Sequence, residues 1–266
     1  QGLVESIRIS TRPDYIEAEG LDLLKKFNVR TVEIGAQSLA DAVLCLSRRG
    51  HSAADVCQAI ELLKGRSFET GIHLMVGLPG DSPAGFGRTV AATIALAPHT
   101  VRIHPTLVLA GTELADMWAR GAYQPLSMAE AITACKDALS KFAAAGIPVI
   151  RLGLQTTPAM EKTGSIVAGP YHPAFRSLVD EAIFFDLAAR LLHRLNMKGG
   201  EAAFCLSPSD VSSFRGPQNR NLQAIKEKSF LSSVVLTVDP HQARGCLTVT
   251  AAGKTGRLTV ADLSVY

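Results

Sequence analysis

Gly71-Ile72-His73-Leu74-Met75-Val76-Gly77-Leu78-Pro79-Gly80 is the stretch whose reading decides the fold. It is a short apolar run carrying one histidine, closed by a Gly-Leu-Pro-Gly turn, so it reads as a strand with a sharp stop. A helical pattern follows from about Pro83 to Leu96, and Val101-Arg102-Ile103 then reads as another strand. Upstream, Ser52 is an N-cap, Asp55 sits in the first turn, and Val56, Ala59, Ile60 and Leu63 form an apolar stripe. Before that helix lies a strand, Thr31-Val32-Glu33-Ile34-Gly35, and before it another, Ile7-Arg8-Ile9. Downstream, Ser127 and Glu130 predict a capping box, Gly146 stops the helix, and Pro148-Val149-Ile150-Arg151-Leu152 is a fifth strand. Strands alternating with helices predict a parallel sheet with crossover helices, either a barrel or an open doubly wound sheet. No G-x-G-x-x-G or Walker A motif follows any of these strands, so neither nucleotide-binding variant is supported.

Beyond residue 155 the pattern changes. Residues 155–174 read as a Gly/Pro-rich loop, and a long apolar helix runs from about Phe175 to Leu195. Short strands follow at 202–206, 234–238, 246–250 and 257–260, with a polar helix from Gln218 to Lys228. We therefore divide the chain into an α/β part, 1–195, and a small α+β appendage, 196–266. The 266 residues are 47% hydrophobic with a formal net charge of +3, which excludes a disordered chain. No run of 18 apolar residues predicts a membrane span. The surplus charge lies in the appendage, with 8 basic and 5 acidic residues, a weak pointer to a polyanion. Cys45, Cys57, Cys135, Cys205 and Cys246 are scattered and show no C-x-x-C spacing. That argues for a reducing, cytoplasmic setting and gives no metal ligand set.

In a parallel α/β sheet, ligands bind beyond the carboxyl ends of the strands. Those ends are Ser10-Thr11-Arg12-Pro13-Asp14, Gly35-Ala36-Gln37-Ser38, Gly77-Leu78-Pro79-Gly80-Asp81 and His104-Pro105-Thr106. Gln37 offers donors and an acceptor, and Arg12 and Arg49 offer forked donors for a carboxylate. His73, within a strand, is expected to point into a barrel. An alternative is that Arg12 and Asp14 simply pair on the surface. Tyr171 and His172 in the loop are weaker substrate-site candidates, His172 as an acid or base. Arg215, Asn219, Arg220 and Asn221 form a polar cluster that suits either phosphate contact or a solvated helix start. No residue is assigned a catalytic role.

At these same segments the chain resembles the radical S-adenosylmethionine (SAM) superfamily, close to the branch of the elongator catalytic subunit and related bacterial proteins. The resemblance rests on residues 10–15, 32–38, 49–51, 75–81, 101–109, 111–114, 146–155 and 168–175, in order over roughly residues 3 to 186. It implies a partial barrel that holds SAM and a [4Fe-4S] cluster. It also implies an enzyme that cleaves SAM reductively to a 5′-deoxyadenosyl radical for hydrogen abstraction, served by an electron donor. By position, Gln37 matches a SAM-contacting glutamine and Arg49 an arginine that pairs with the SAM carboxylate. Ser10 stands where relatives carry a glutamate towards the ribose, and His73 where some use an aspartate near the adenosine. Arg12 lies on the same rim.

The C-x3-C-x2-C cluster motif is not in this chain, and Ile7-Arg8-Ile9 resembles the fourth strand of the usual six-stranded core. The expectation is an incomplete barrel, inactive alone, with the cluster ligands upstream of Gln1. A cluster-less module that binds a small ligand or RNA is the competing expectation. The substrate stays open between a small molecule and RNA. The appendage does not resemble the elongator acetyltransferase domain.

Overall fold

The computed structural model describes residues 4–265 except Thr156, Ala159, Glu161 and Lys198. In chain order the first elements are β1 (Ile7–Thr11), α1 (Ala18–Lys26), β2 (Val29–Gln37), α2 (Asp41–Leu46), α3 (Ala53–Gly65), β3 (Glu69–Val76), α4 (Pro83–Ala95) and β4 (Thr100–Pro105). Then come β5 (Val108–Leu109), α5 (Glu113–Ala119), α6 (Met128–Ala144), β6 (Val149–Leu152), β7 (Ile166–Ala168) and α7 (Phe175–Arg194). The last are β8 (Gly200–Leu206), α8 (Val211–Arg215), α9 (Arg220–Lys228), β9 (Leu231–Val238), β10 (Cys246–Ala251) and β11 (Lys254–Thr259). Contacts divide the chain into one unit of 1–138 with 145–175, and a second of 139–144 with 176–266.

The first unit is built on a five-stranded sheet ordered β1-β2-β3-β4-β6, every pairing parallel. The predicted caps form as the sequence implies. Ser52 and Asp55 make a reciprocal capping box on α3, and Ser127 and Glu130 exchange the same contacts before α6. One face of the sheet is a dry core: Val32, Ile34, Ala36, Ile72, Leu74, Val101 and Ile103 have no measurable exposure. Val56, Ala59, Ile60 and Leu63 of α3 and Phe86 and Val90 of α4 are equally buried, which is the predicted helix layer. Because side chains alternate along a strand, the residues between these point the other way. They are Arg8, Ser10, Glu33, His73, Arg102, His104 and Arg151. A parallel sheet normally covers both faces with apolar residues. A polar second face is what the lining of an incomplete barrel requires, so the predicted fold class holds.

One expectation needs correcting. The 155–174 stretch is not all loop, because β7 pairs antiparallel with β5. Three residues facing two are too short for period-2 alternation to announce them.

The second unit has a four-stranded sheet ordered β11-β10-β8-β9, with β10 antiparallel to its neighbours and β8 parallel to β9. Phe204 of β8, Phe214 of α8 and Phe184 of α7 pack ring against ring. The expected helix from Gln218 begins later, at Arg220, because Gln218 and Asn219 both adopt positive φ. Among the described residues no helix is long and apolar enough to cross a membrane.

Candidate functional site

The centre of the polar face is Glu33, only 1% exposed. Arg8 Nη1 donates to its Oε1 at 2.9 Å, and Arg102 Nη2 forms an ion pair with the same oxygen at 2.9 Å. Ser10 Oγ donates to Oε2 at 3.0 Å, and His73 Nε2 donates to the same oxygen at 3.1 Å. The sheet register creates this meeting. Ser10 is opposite Glu33, Glu33 is opposite Gly71, and His73 is opposite Arg102, which is opposite Arg151. Gly71 makes the room, since a Cβ there would lie 2.8 Å from Glu33 Cγ. Burial, the largest single influence, pushes the Glu33 carboxyl up. Ser10, His73 and Arg102 together outweigh it and hold the group below the usual range, so it is ionised.

The two histidines of this face behave as neutral rings. Burial lowers the His73 value, against the opposing pull of Glu33, with Arg102 and Arg151 adding to the drop. Burial, His73 and the same two arginines push His104 down to about 4. The rings lie 6.0 Å apart. Neutral His73 must carry its proton on Nε2 to donate to Glu33. His104 Nδ1 and Arg102 Nε are buried without a hydrogen-bond partner among the described residues.

At the carboxyl ends of the strands lies a cleft of about 190 Å³, lined by Arg49, Met75, Leu78, Pro79, Thr106 and Met117 among others. Arg49 is half-buried and has no acidic partner among the described residues. Burial, and then the charge of Arg12, lowers its proton affinity, although a guanidinium stays charged. Arg12 forms a two-pronged pair with Asp14 at 2.9 and 2.7 Å and also donates to the Gly50 carbonyl at 3.2 Å. It thereby fixes the turn that presents Arg49. Gly50 has φ +74°, and a Cβ there would meet Arg12 Nη2 at 3.0 Å. Gln37 ends β2 at φ 66°, at an irregularity in the pairing with β3, half-buried and with no side-chain bond among the described residues.

The sequence candidates thus separate. Ser10 and His73 are brought together on Glu33. Arg49 and Gln37 stand at strand ends with free donors, and Arg12 is held by Asp14. Tyr171 and His172 border a small cavity with Pro105, Leu107, Gly153 and Phe175, and His172 Nδ1 accepts the Ala174 N–H at 3.1 Å. The Arg215–Asn221 group does not gather as one phosphate site, and at Asn221 it is not a solvated helix start either. Asn221 is buried and donates to the carbonyls of Glu181 and Phe214, while Arg220 pairs with Glu181 at 3.0 Å. Sequence reasoning missed Glu33 and Arg102 as site residues.

A cluster is a different matter. Among the described residues no three His, Cys, Asp or Glu side chains converge as a metal site, and all five cysteines are free and dispersed. These residues do not fit a [4Fe-4S] cluster.

With the geometry in hand, comparisons place the chain. A family model described as the radical SAM superfamily matches residues 2–92, and one described as the radical SAM C-terminal domain matches 98–184. A tRNA uridine(34) acetyltransferase of Methanocaldococcus infernus is 38% identical over 47% of this chain and 24% of its own length. Elongator complex protein 3 of Danio rerio is 34% identical over 46% and 23%. The solved structure of Methanocaldococcus infernus Elp3 with an N-terminal deletion superposes with a TM-score of 0.59 at 32% identity. It covers 67% of this chain and 41% of that one. The chain spans about a quarter of the length of the curated relatives it matches.

Proposed function

The chain belongs to the radical SAM superfamily, and from that premise we propose that it is the SAM-binding portion of an enzyme that cleaves SAM reductively. The observation that carries this reading is Arg49. It is a half-buried guanidinium without an acidic partner, set at the strand ends in a cleft. A buried, unpaired cation is costly, and the carboxylate of SAM meets its fork in two parallel hydrogen bonds.

Gln37, on its strained turn, supplies an amide towards the same ligand. Arg12 acts through the turn at Gly50 rather than by contact. Ser10 and His73 reach the ligand only by giving up or sharing Glu33, so we assign them to the wall below it. Bound SAM supplies the hydrogen-abstracting chemistry of the family. The protein's part is to grip its carboxylate, exclude water and hold the polar face neutral in its two imidazoles.

The family implies a [4Fe-4S] cluster as well. Since the residues described do not fit one, we place its ligands outside them, upstream of Gln1, and derive no step from it. The division at residue 195 and a cytoplasmic setting are part of the same proposal. Relatives named for action on tRNA uridine(34) support an RNA substrate, with a small molecule the alternative. The test is to express the chain with its native upstream sequence, reconstitute iron and sulfide without oxygen, and measure 5′-deoxyadenosine under reduction. Its formation from SAM is expected. A protein that carries a cluster yet forms none overturns the reading.

A further inference from the structure

The charges on the polar face do not balance. Arg8, Arg102 and Arg151 project onto it from β1, β4 and β6, and among the described residues Glu33 is the one carboxylate paired with any of them, meeting Arg8 and Arg102. Glu33 already accepts three hydrogen bonds and forms an ion pair with Arg102, so both of its oxygens are engaged. Its capacity is spent on the Arg8 and Ser10 side as much as on the Arg102 side.

The surplus is concentrated at one place. Arg102 and Arg151 are register partners on adjacent strands, about 4.8 Å apart at the backbone, and both charges act on His73 and His104 between them. Like charges directly opposite each other destabilise a sheet. Arg151 is exposed and has no acidic partner among the described residues. Beside the pair, Arg102 Nε and His104 Nδ1 are buried without a partner. The depressed proton affinities of His73 and His104 report the same positive potential, since both arginines contribute to them. Nothing in the fold needs this arrangement, because the neighbouring dry face already supplies the core.

We propose that Arg102 and Arg151, with His104 beside them, form a receptor for an oxyanion carried by the substrate, distinct from the SAM carboxylate held at Arg49. Two adjacent guanidinium forks suit a carboxylate or a phosphate, whose oxygens accept in parallel pairs. His104 stays neutral beside them, its ring N–H turned to the Gly153 carbonyl, and serves as the reporter of the site. The substrate class that follows is one with an anionic group, either an acid or a phosphate ester. The inference deepens the radical SAM reading and rests on it for the word substrate.

The experiment is a titration of the full chain with inorganic phosphate and with acetate at constant ionic strength in a chloride background. It is followed by the imidazole proton resonances of His104, assigned through His104→Gln. A saturable shift is expected for at least one of the two anions. The tighter one distinguishes the phosphate from the carboxylate source. Arg151→Gln, an exposed residue on an edge strand, is expected to weaken that binding at least tenfold and leave the affinity for SAM unchanged. Shifts that merely follow ionic strength, or an Arg151→Gln protein that binds as the wild type does, would overturn the proposal. So would displacement of the anion by saturating SAM, which would assign the arginines to the SAM carboxylate instead. The titration is also run without SAM, so a chain that never binds SAM loses the preceding reading while this site is still decided.

Discussion

Glu33 and Asp210 are both buried carboxylates, one in the parallel sheet of the first unit and one beside the mixed sheet of the second, 1% and 3% exposed. Burial is the largest influence on each, and it acts in the same direction. The outcomes differ in sign. Glu33 is held below the usual carboxylate range because Ser10, His73 and Arg102 outweigh desolvation. Asp210 is left above it, since it has the Gly245 N–H at 2.7 Å and an exposed Arg244 at 3.4 Å. Asp210 ties one loop to the start of β10 and asks for nothing more. Glu33 is surrounded by more cations and donors than it can use. Asp210, with few partners, is a staple, and the surplus around Glu33 is the ground for the anion site proposed above.

Removing each charge breaks the comparison most sharply. Glu33→Gln leaves Arg8 and Arg102 facing an amide that cannot neutralise them. We expect a loss of roughly 2–3 kcal/mol, below the range for fully buried pairs because the arginines are partly exposed. The check is chemical denaturation at pH 7. Gly71→Ala attacks the same carboxylate by crowding, with the new methyl 2.8 Å from Glu33 Cγ and 3.1 Å from Thr100 Oγ1. Its expected cost is about 1–3 kcal/mol by the same measurement. Asp210→Asn keeps an acceptor for Gly245 and removes a charge that burial disfavours, so a change below about 1 kcal/mol is expected.

The pH dependence of these variants sharpens the comparison further. The folded-state value of Glu33 is depressed, so its contribution is present above the ordinary carboxylate value and is lost as pH falls through the lowered one. The gap between wild type and Glu33→Gln therefore narrows on acidification. Asp210 is raised, so its penalty at neutral pH is relieved as pH falls through that raised value. The wild type then gains on Asp210→Asn. Denaturation midpoints of the three proteins from pH 7 downward give opposite slopes if the assignment is right, and parallel ones if it is wrong.

Much of the fold was legible in the sequence. All five strands of the parallel sheet stand where short β-branched runs place them, and Ser52 and Ser127 cap the helices they announce. The site was legible only in pieces. Each strand carries one polar residue between apolar ones: Arg8 in Ile-Arg-Ile, Glu33 in Val-Glu-Ile, His73 in Ile-His-Leu, Arg102 in Val-Arg-Ile and Arg151 in Ile-Arg-Leu. That repeated pattern is the signal that one face of the sheet is polar. Which of these residues meet depends on register, and parallel strands joined by long crossovers do not carry their register in local sequence. For the same reason Ser10 and His73 read as separate candidates, although one carboxylate joins them. Arg49 was legible as a forked donor, and by resemblance as a SAM contact, but not its burial or its lack of an acidic partner among the described residues, which arise at the turn where Arg12 holds Gly50.

The claim on which the account turns is that Arg49 receives the carboxylate of SAM. Equilibrium dialysis of labelled SAM against the reconstituted protein tests it directly, using the wild type, Arg49→Ala and Arg151→Gln. Loss of a charged hydrogen-bonding partner predicts affinity roughly 10- to 100-fold weaker for Arg49→Ala, with Arg151→Gln matching the wild type. Equal SAM affinity in Arg49→Ala and the wild type would contradict the account.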